Sequence, residues 1–319
     1  MGVIFPNTIN IIQGKKGVHK SRITENFCAL LLFRGLGKAF LGFRKNPMVR
    51  FSVLYIDTER NQNEQFPSAI QKIKRLAGYE IEQKPSNFDF ISLIDIDRNE
   101  RFETTREYLE HFRKSNPHQH LFVVFDVVTD CIENFNNVAE SMKFVDMLNK
   151  TINEHNVTFL CVIHENPAAG NDKGRGHLGT ELNNKASQVM QIGFEKDSKG
   201  NDTDLIRLKC LHARSTKKLD PIYLEYSEEA KGLVLASGDF VAERLAQKKG
   251  KATLPEVEKW LEENLGDGLT KEHLQNNLTE YFECSKRTIE DRLSELINKG
   301  FLNKDKQGRE VFYKLQLSF

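Results

Sequence analysis

The sequence is short of cysteine, and the cysteines it has show no pairing pattern. Five occur in 319 residues, none as C-x-x-C, and most lie inside apolar runs: Cys28, Cys131, Cys161, Cys210 and Cys284. This spacing excludes a disulfide framework and a cysteine-rich zinc site. It is typical of small buried side chains in a reducing compartment, so we expect a cytoplasmic protein.

The sequence also lacks a long hydrophobic run, internal repeats and low-complexity segments. Its longest apolar stretch falls far short of a membrane span, and the N-terminus has no secretory segment, so we expect no membrane partner. Lys and Arg number 46 against 45 Asp and Glu. Net charge therefore indicates no particular partner.

Charge is nevertheless unevenly distributed. The first 50 residues hold nine Lys or Arg and one acid, Glu25. Several of the basic residues, from Arg34 to Arg50, surround a glycine-rich turn. Two interpretations have equal weight: an anionic partner such as phosphate or nucleic acid, and a solvated basic face.

Apolar runs alternate with helical patterns, which favours an α/β fold with a mostly parallel twisted sheet. Residues 120–126 and 157–163 are nearly all apolar, as strands buried on both faces are. The predicted strands are 7–13, 49–57, 88–96, 120–126 and 157–163, and the predicted helices are 21–33, 60–76, 100–114 and 137–155.

The composition changes after this alternation. Residues 166–180 contain four glycines and one proline, which predicts a mobile loop between core elements. Alternating segments near 188–194, 204–211, 221–226 and 232–236 then predict antiparallel strands that finish the sheet.

Residues 240–252 are predicted to link a large domain, residues 1–239, to a small one, residues 253–319. The small domain reads as helices at 254–264, 271–282 and 285–298, followed by two short strands around residues 305–308. Three helices followed by a β-hairpin predict a winged-helix domain.

A phosphate-binding loop is predicted between the first strand and the first helix. Residues 14–21 read GKKGVHKS, against the pattern G-x-x-x-x-G-K-[ST]. Backbone N–H groups and the helix N-terminus would hold the β-phosphate of ATP, Lys20 would reach the β- and γ-phosphates, and the Ser21 hydroxyl would hold Mg²⁺. The predicted nucleotide-binding residues are Gly14, Lys15, Lys16, Gly17, Val18, His19, Lys20, Ser21 and Arg22.

His19 departs from this pattern, because a glycine is expected there. A histidine adds a Cβ and an imidazole. It nevertheless tolerates left-handed backbone angles better than most residues, and its ring can point away from the nucleotide. A working site is the favoured interpretation, and a degenerate loop is the alternative.

Polar residues end three further strands. Glu59, with Asp57 as the weaker candidate, is predicted to polarise the attacking water; the alternative is an acidic helix N-terminus. Asp126 follows a buried strand, as the Walker B acid does, and would lie near Mg²⁺. His164 is a candidate γ-phosphate sensor, with a plain strand-end turn as the alternative.

These segments together carry a resemblance. The order is phosphate loop, IDTER, FVVFD, VIHEN, a glycine-rich loop, GHLGTELNNKAS and LKCLHARSTKKLDPIYLEY. It resembles the RecA-like ATPases, especially the branch of hexameric replicative helicases of the DnaB and plasmid RepA kind, and is most similar to ATPases carried on plasmids and mobile elements. The resemblance covers residues 5–237.

The resemblance implies roles for particular residues. Lys20 and Ser21 match the phosphate and Mg²⁺ residues, Glu59 the catalytic glutamate, Asp126 the Walker B acid and His164 the sensor. Loop 166–180 matches the loop that faces DNA in a central channel, so Lys173 and Arg175 would contact DNA phosphates.

It also implies a contact between subunits. Family members often carry Lys-x-Arg on a late strand that reaches the neighbouring subunit's ATP. Arg214 stands at the Arg position, but His212 replaces the Lys, and Lys209 is the candidate substitute for it. This replacement and His19 put the turnover rate in question more than nucleotide binding.

The third helix of the small domain resembles a recognition helix. Ser285 is its predicted N-cap, and Lys286, Arg287 and Arg292 would face outward, where such a helix meets DNA. Residues 241–319 contain 14 basic and 14 acidic side chains, however, and a dedicated DNA reader is usually more basic. The partner is therefore either DNA, a protein or a neighbouring subunit.

Three functions remain as hypotheses. The leading one is an ATP-driven oligomeric motor on DNA, hexameric and acting as a helicase, with single-stranded DNA at the central loop. The second is a winged-helix DNA-binding regulator whose ATP domain is a slow assembly switch. The third, a small-molecule kinase, is the weakest, because a kinase needs neither an inter-subunit arginine nor a winged helix.

Overall fold

Nine strands form the larger sheet of the computed structural model, which describes residues 4–35, 37–166, 172–198, 200–214, 216–248, 252–282, 284–307 and 310–316. The strands are β1 Ile9–Gly14, β2 Phe51–Asp57, β3 Phe88–Ser92, β4 His120–Asp126, β5 Val157–His164, β6 Gln188–Lys196, β7 Asp202–Ala213, β8 Ile222–Ser227 and β9 Gly232–Leu235. Their order across the sheet is β3-β2-β4-β5-β1-β6-β7-β8-β9.

Strands β1 to β5 pair parallel with their neighbours, and β6 pairs parallel with β1, whereas β7 with β8 and β8 with β9 pair antiparallel. The expectation that the strand near 188–194 is antiparallel does not hold for its pairing with β1, which is parallel. Alternation of apolar and polar residues marks a half-buried strand but does not encode its direction.

Five helices cover this sheet: α1 Lys20–Leu32, α2 Gln65–Leu76, α3 Arg98–Ser115, α4 Val138–His155 and α5 Gly176–Lys185. Alternate residues of β2 enter two different cores, because side chains of a strand point to opposite faces. Val53 and Tyr55 join the cluster that contains residues of α1 and α2. Leu54 and Ile56 join the cluster with residues of α3, α4 and α5. The sheet is thus covered on both faces, which explains why its strands are continuously apolar.

The predicted loop 166–180 is shorter than expected. Residues 167–171 lie outside the described residues, and α5 begins at Gly176, so 176–180 are helical. Gly176 has φ 72°, and a Cβ there would lie 2.5 Å from Phe135 Cδ2. Gly176 therefore allows the chain to turn into α5 beside Phe135. Glycine content alone thus predicted a loop that extends too far along the chain.

The chain divides into two compact units, Met1–Glu195 with Asp204–Ser237 and Lys196–Thr203 with Gly238–Phe319. The helices of the second unit are α6 Gly238–Lys248, α7 Leu254–Asn264, α8 Lys271–Phe282 and α9 Lys286–Asn298. Helix α6 occupies most of the segment predicted as a linker, since residues 240–248 are mainly good helix formers.

The second unit has its own sheet and core. Strands β10 Leu269–Thr270, β11 Leu302–Gln307 and β12 Glu310–Leu315 form an antiparallel sheet in the order β10-β12-β11. Ile289, Leu293 and Leu296 of α9 are buried in its core, as their helical spacing predicted. The Ser285 hydroxyl accepts from the Thr288 N–H at 3.1 Å and so caps α9.

Across the described parts of the chain, none of the helices is both long and apolar enough to cross a membrane.

Candidate nucleotide-binding site

The loop between β1 and α1 has the backbone that a phosphate-binding loop requires. Gly17 adopts φ 83°, a left-handed conformation that favours glycine. A Cβ on Gly14 would lie 2.4 Å from the Ile192 carbonyl oxygen, so only glycine fits there. Lys15 and Lys16 are exposed, and Val18 is buried. The loop therefore turns tightly and presents basic side chains to solvent at the start of α1.

His19 takes the place of the missing glycine by adopting glycine's backbone angles. Its φ is 65° and its ψ is 24°, in the left-handed region, directly before α1. The imidazole is stacked on the ring of Tyr226, with centroids 5.9 Å apart, and meets Phe194 edge-on at 5.7 Å. These ring contacts stabilise the position of the imidazole.

The imidazole of His19 is also kept neutral. Burial lowers its pKa, and the nearby charges of Arg22 and Lys72 lower it further. Arg22 itself lies over the Tyr226 ring at 4.7 Å. Tyr226 thus contacts both His19 and Arg22, although it lies on β8, far from the loop in sequence.

A polar chain joins the phosphate loop to the predicted catalytic glutamate. The Lys20 ammonium donates to the Lys15 carbonyl at 2.7 Å and lies 3.1 Å from Nδ1 of His164. Nε2 of His164 lies 3.4 Å from Oε1 of Glu59. The sequence predictions for Lys20, His164 and Glu59 therefore fall on three side chains that meet. They do so because β1, β2 and β5 are parallel and end at the same edge of the sheet.

The surroundings of Lys20 and Glu59 shift the pKa values of both side chains. Burial lowers the pKa of Lys20, although Asp126, Glu59 and Glu165 act in the opposite direction. The contact with His164 lowers the pKa of Glu59, so this half-exposed carboxyl is ionised at neutral pH. An ionised carboxylate beside the loop is the form that accepts a proton from water.

Asp126 is buried and its Oδ2 atom is doubly hydrogen-bonded. The Tyr55 hydroxyl donates to it at 2.6 Å, and the Arg60 guanidinium donates at 3.0 Å. Arg60 also pairs with Glu25 and with Asp57, each at 3.2 Å. Lys72 contacts the other Glu25 oxygen at 3.4 Å. We call Glu25, Asp57, Arg60, Lys72 and Asp126 the buried charge cluster.

Asp57 belongs to this buried charge cluster and is not exposed beside the phosphate loop. It is fully buried, and its Oδ1 accepts from the backbone N–H of Glu59 at 3.1 Å and of Arg60 at 2.8 Å. Burial raises its pKa to about 6, against the opposing effect of Arg60. Asp57 therefore shapes the turn that carries Glu59, and the geometry favours Glu59 as the base.

Sequence reasoning did not identify Arg60, Glu25, Tyr55 or Lys72. Arg60 directly follows Glu59 in IDTER, which was a local clue to its importance. The other contacts join residues far apart along the chain, and no local pattern encodes them.

A second polar group connects β1 to the glycine-rich segment. The side-chain amides of Gln13 and Gln191 both donate to Oε1 of Glu165, at 2.9 and 2.6 Å. Gln13 also donates to the Asp172 carbonyl at 2.6 Å, and Gln191 to an Asp172 carboxylate oxygen at 2.9 Å. Glu165 follows His164, so this group links the predicted sensor to the predicted DNA-facing loop.

The loop opens into a cleft of about 1370 Å³. The predicted site residues that line it are Lys15, Lys16, Gly17, Val18, His19, Lys20, Ser21, Arg22, Glu59, His164 and Arg175. Asp126 lies behind this surface in the buried charge cluster. Arg175, predicted to contact DNA, is exposed in the cleft with its guanidinium 5.3 Å from the centre of the Phe135 ring. Lys173 is also exposed.

The remaining predicted residues lie elsewhere. The exposed Arg214 side chain donates to the Asn184 carbonyl and does not line the cleft. Lys286 and Arg287 are exposed at the start of α9 in the second unit. Nε of Arg292 donates to the Ala252 carbonyl at 3.0 Å, so part of this side chain is engaged within its own unit.

The donor set fits Mg²⁺ only together with phosphate. In the described ranges, no group of three or more His, Cys, Asp or Glu side chains is arranged to hold a metal ion. Ser21 and Asp126 supply oxygen donors, and Mg²⁺ prefers few protein ligands completed by substrate phosphates and water. The residues therefore suit a Mg²⁺ ion that binds with a nucleotide.

Comparison with known proteins agrees with this geometry. The family described as "AAA domain" matches residues 1–170. The chain belongs to this AAA-domain family. No curated protein matches it. A solved structure described as the RadB recombinase has a TM-score of 0.50 and 14% identity, and the similarity covers 73% of this chain and 93% of that one. The family and the fold together support a RecA-like P-loop core with a nucleotide-binding site.

Proposed function

We propose that this protein is an ATP-hydrolysing, oligomeric, DNA-associated motor, acting as a replicative or mobilisation helicase of a plasmid or mobile element. The observation that carries the proposal is the chain Lys20–His164–Glu59. These three side chains, which we propose as the phosphate-binding ammonium, the sensor and the base, are in contact beside the phosphate loop. A nucleotide that is only stored needs the loop but not the base.

Each residue has a role in this proposal. The loop backbone and the N-terminus of α1 bind the phosphates, and Lys20 neutralises charge on the β- and γ-phosphates. Mg²⁺, held through Ser21 and Asp126, would offset phosphate charge. Glu59 accepts the proton of the water that attacks the γ-phosphorus. His164 contacts both Lys20 and Glu59, so a change at the phosphate reaches the base and, through Glu165, the glycine-rich segment.

Oligomerisation completes the proposed site. Arg214 would reach the γ-phosphate of a neighbouring subunit, and its exposure supports this role. A hexameric ring would place Lys173 and Arg175 around single-stranded DNA. Since Arg175 also lines the nucleotide cleft, it would respond to the nucleotide as well as to DNA.

The second unit is proposed to be a winged-helix domain. From α7 onward, its order of helix, strand, two helices and two strands, with β12 between β10 and β11, supports this assignment. Lys286 and Arg287 at the exposed start of α9 would contact duplex DNA, with Arg292 as a secondary contact. A protein partner or a neighbouring subunit is the alternative for this surface.

An ATPase assay with and without single-stranded DNA tests the motor. Wild type should hydrolyse ATP faster with DNA, and Lys20→Ala should lose hydrolysis because the phosphate contact is lost. Lys16→Ala, which removes an exposed lysine of the same loop, is the matched control and should lose much less. Equal hydrolysis by Lys20→Ala and wild type would refute the assignment.

A slow assembly switch is the second candidate, favoured by the bonding of Asp126. Its Oδ2 atom already accepts hydrogen bonds from Tyr55 and Arg60, which leaves only the other oxygen for a Mg²⁺-bound water. His19→Gly discriminates between the two. A large gain in ATPase rate would favour the switch, and no change would favour the motor.

A further inference from the structure

A second cavity, of about 790 Å³, lies at the opposite end of the parallel sheet from the nucleotide cleft. It is bounded by the C-terminal end of α1, the segment that enters β2 and the segment 79–87 that precedes β3. Strands β2 and β3 begin at this side, at Phe51 and Phe88, whereas Glu59 follows the end of β2 and Asp126 is the last residue of β4. The two sites are therefore separate.

The charged side chains that line this cavity are all basic: Arg34, Lys45, Arg50 and Lys84. Arg34, Arg50 and Lys84 are exposed, and none of them forms an ion pair with a carboxylate in the described part of the chain. The whole chain carries 46 basic and 45 acidic residues, so overall composition does not explain this segregation. The cavity concentrates positive potential.

Lys45 offsets the partial negative charge at the C-terminal end of α1, which would otherwise repel an anion in the cavity. The C-terminal end of a helix carries a partial negative charge, and α1 ends at the cavity wall. The Lys45 ammonium donates to the carbonyls of Leu31, at 3.3 Å, and Phe33. It thereby neutralises the helix end, and the other three cations remain available to a ligand.

Aromatic rings lie among these cations. Phe33, Phe51 and Tyr79 line the cavity and are partly exposed. The Arg34 guanidinium lies 5.8 Å from the centre of the Tyr79 ring. Cations that track a phosphate backbone, interleaved with rings on which bases stack, are the usual means of binding single strands without sequence preference.

We propose that this basic cavity binds the sugar-phosphate backbone of single-stranded nucleic acid. The partly exposed rings favour a single strand over a duplex, because unpaired bases are free to stack on them, whereas the bases of a duplex are stacked on one another. The proposal rests on the proposed association with DNA but not on ATP hydrolysis. It adds a contact at the end of the sheet remote from the nucleotide, distinct from Lys173 and Arg175.

Fluorescence anisotropy of a labelled oligothymidylate, titrated with the full chain at several salt concentrations, tests the proposal. Each phosphate contact to a single strand contributes about 0.7 to the slope of log K against log salt. Arg34→Ala/Arg50→Ala should therefore bind more weakly and reduce that slope by about 1.4. Arg34→Lys/Arg50→Lys keeps both charges and should keep the slope.

Arg106→Ala/Lys143→Ala is the matched control. It removes the same charge from exposed positions that do not line the cavity, so it should leave the slope near that of wild type. Equal slopes for the cavity pair, the control pair and wild type would overturn the proposal while leaving DNA-stimulated ATPase intact. Absence of any oligothymidylate binding would overturn both this proposal and the DNA association on which it rests. Tight binding of free inorganic polyphosphate, with none of oligothymidylate, would also overturn it.

Discussion

The two ends of the central sheet carry charge in opposite ways. At the nucleotide end, Arg60 pairs with Glu25, Asp57 and Asp126 in a buried charge cluster. At the other end, Arg34 and Arg50 face the basic cavity, exposed and without a described carboxylate partner. Paired, buried charges hold reactive groups in place, whereas unpaired, exposed charges remain available to a ligand. The predictions below test this difference.

The largest expected effect is at the proposed base. Glu59→Gln should lower the ATPase rate by about 10²–10⁴-fold, the usual contribution of a general base, and nucleotide binding should persist. Steady-state ATPase measured beside nucleotide affinity separates the two effects. Glu64→Gln, an exposed glutamate at the N-terminus of α2, is the control. A similar rate for Glu59→Gln and Glu64→Gln would remove Glu59 from the mechanism.

Arg60→Ala tests the buried side of the comparison. It leaves three buried carboxylates with Lys72 as the remaining cation of the cluster, and loss of one partner from a buried ion network typically costs about 3–5 kcal/mol. Urea denaturation measures the change in free energy of unfolding. Arg106→Ala is the matched control, because Arg106 also bonds more than one carboxylate, Glu103 and Glu110, but at the surface. Comparable losses in both variants would contradict a special role for burial.

Asp57 provides a pH-dependent test of the same cluster. Its folded pKa of about 6 lies above the ordinary value of 3.8, so the folded state holds the proton more tightly than the unfolded state. Its contribution to stability is present below about pH 4 and is lost as pH rises through 6. Asp57→Asn should therefore gain stability relative to wild type across this range, by up to about 3 kcal/mol.

Urea denaturation of wild type and Asp57→Asn at several pH values between 4 and 7 measures this gain. A difference between Asp57→Asn and wild type that stays constant with pH would contradict the raised pKa.

The smallest expected effect is at the basic cavity. Arg34→Ala/Arg50→Ala should change the free energy of unfolding by no more than about 0.5 kcal/mol, because both side chains are exposed and neither pairs with a carboxylate among the described residues. The same urea titrations used for Arg60→Ala provide the measurement. A loss as large as that of Arg60→Ala would mean that these arginines hold the fold together, and the contrast between the two ends would fail.

Much of the nucleotide site was predictable because parallel strands end at one edge of the sheet. The phosphate loop, Glu59 and His164 were each recognisable at a strand end, and the sheet brings them together. The side-chain contacts that hold these residues in position were not predictable. Arg60 reaches Asp126 across 66 positions, and His19 packs on Tyr226 across 207. Such pairings depend on strand order, which local patterns do not encode.

The errors have the same origin. The parallel pairing of β6 with β1 and the start of α5 at Gly176 follow from tertiary contacts rather than from composition. The basic residues 34–50 were visible as a cluster, but the segment 79–87 that completes the cavity lies on another part of the chain. Only the fold shows that the cluster lines a concave site.

Titration calorimetry with a non-hydrolysable ATP analogue at millimolar Mg²⁺ tests the central claim, that the loop binds a nucleoside triphosphate with His19 in the place of glycine. Wild type should release heat of binding, and Lys20→Ala should bind at least tenfold more weakly, since it loses a charged phosphate contact worth more than about 1.4 kcal/mol. No heat from folded wild-type protein, with adenine or guanine nucleotides, would contradict the account.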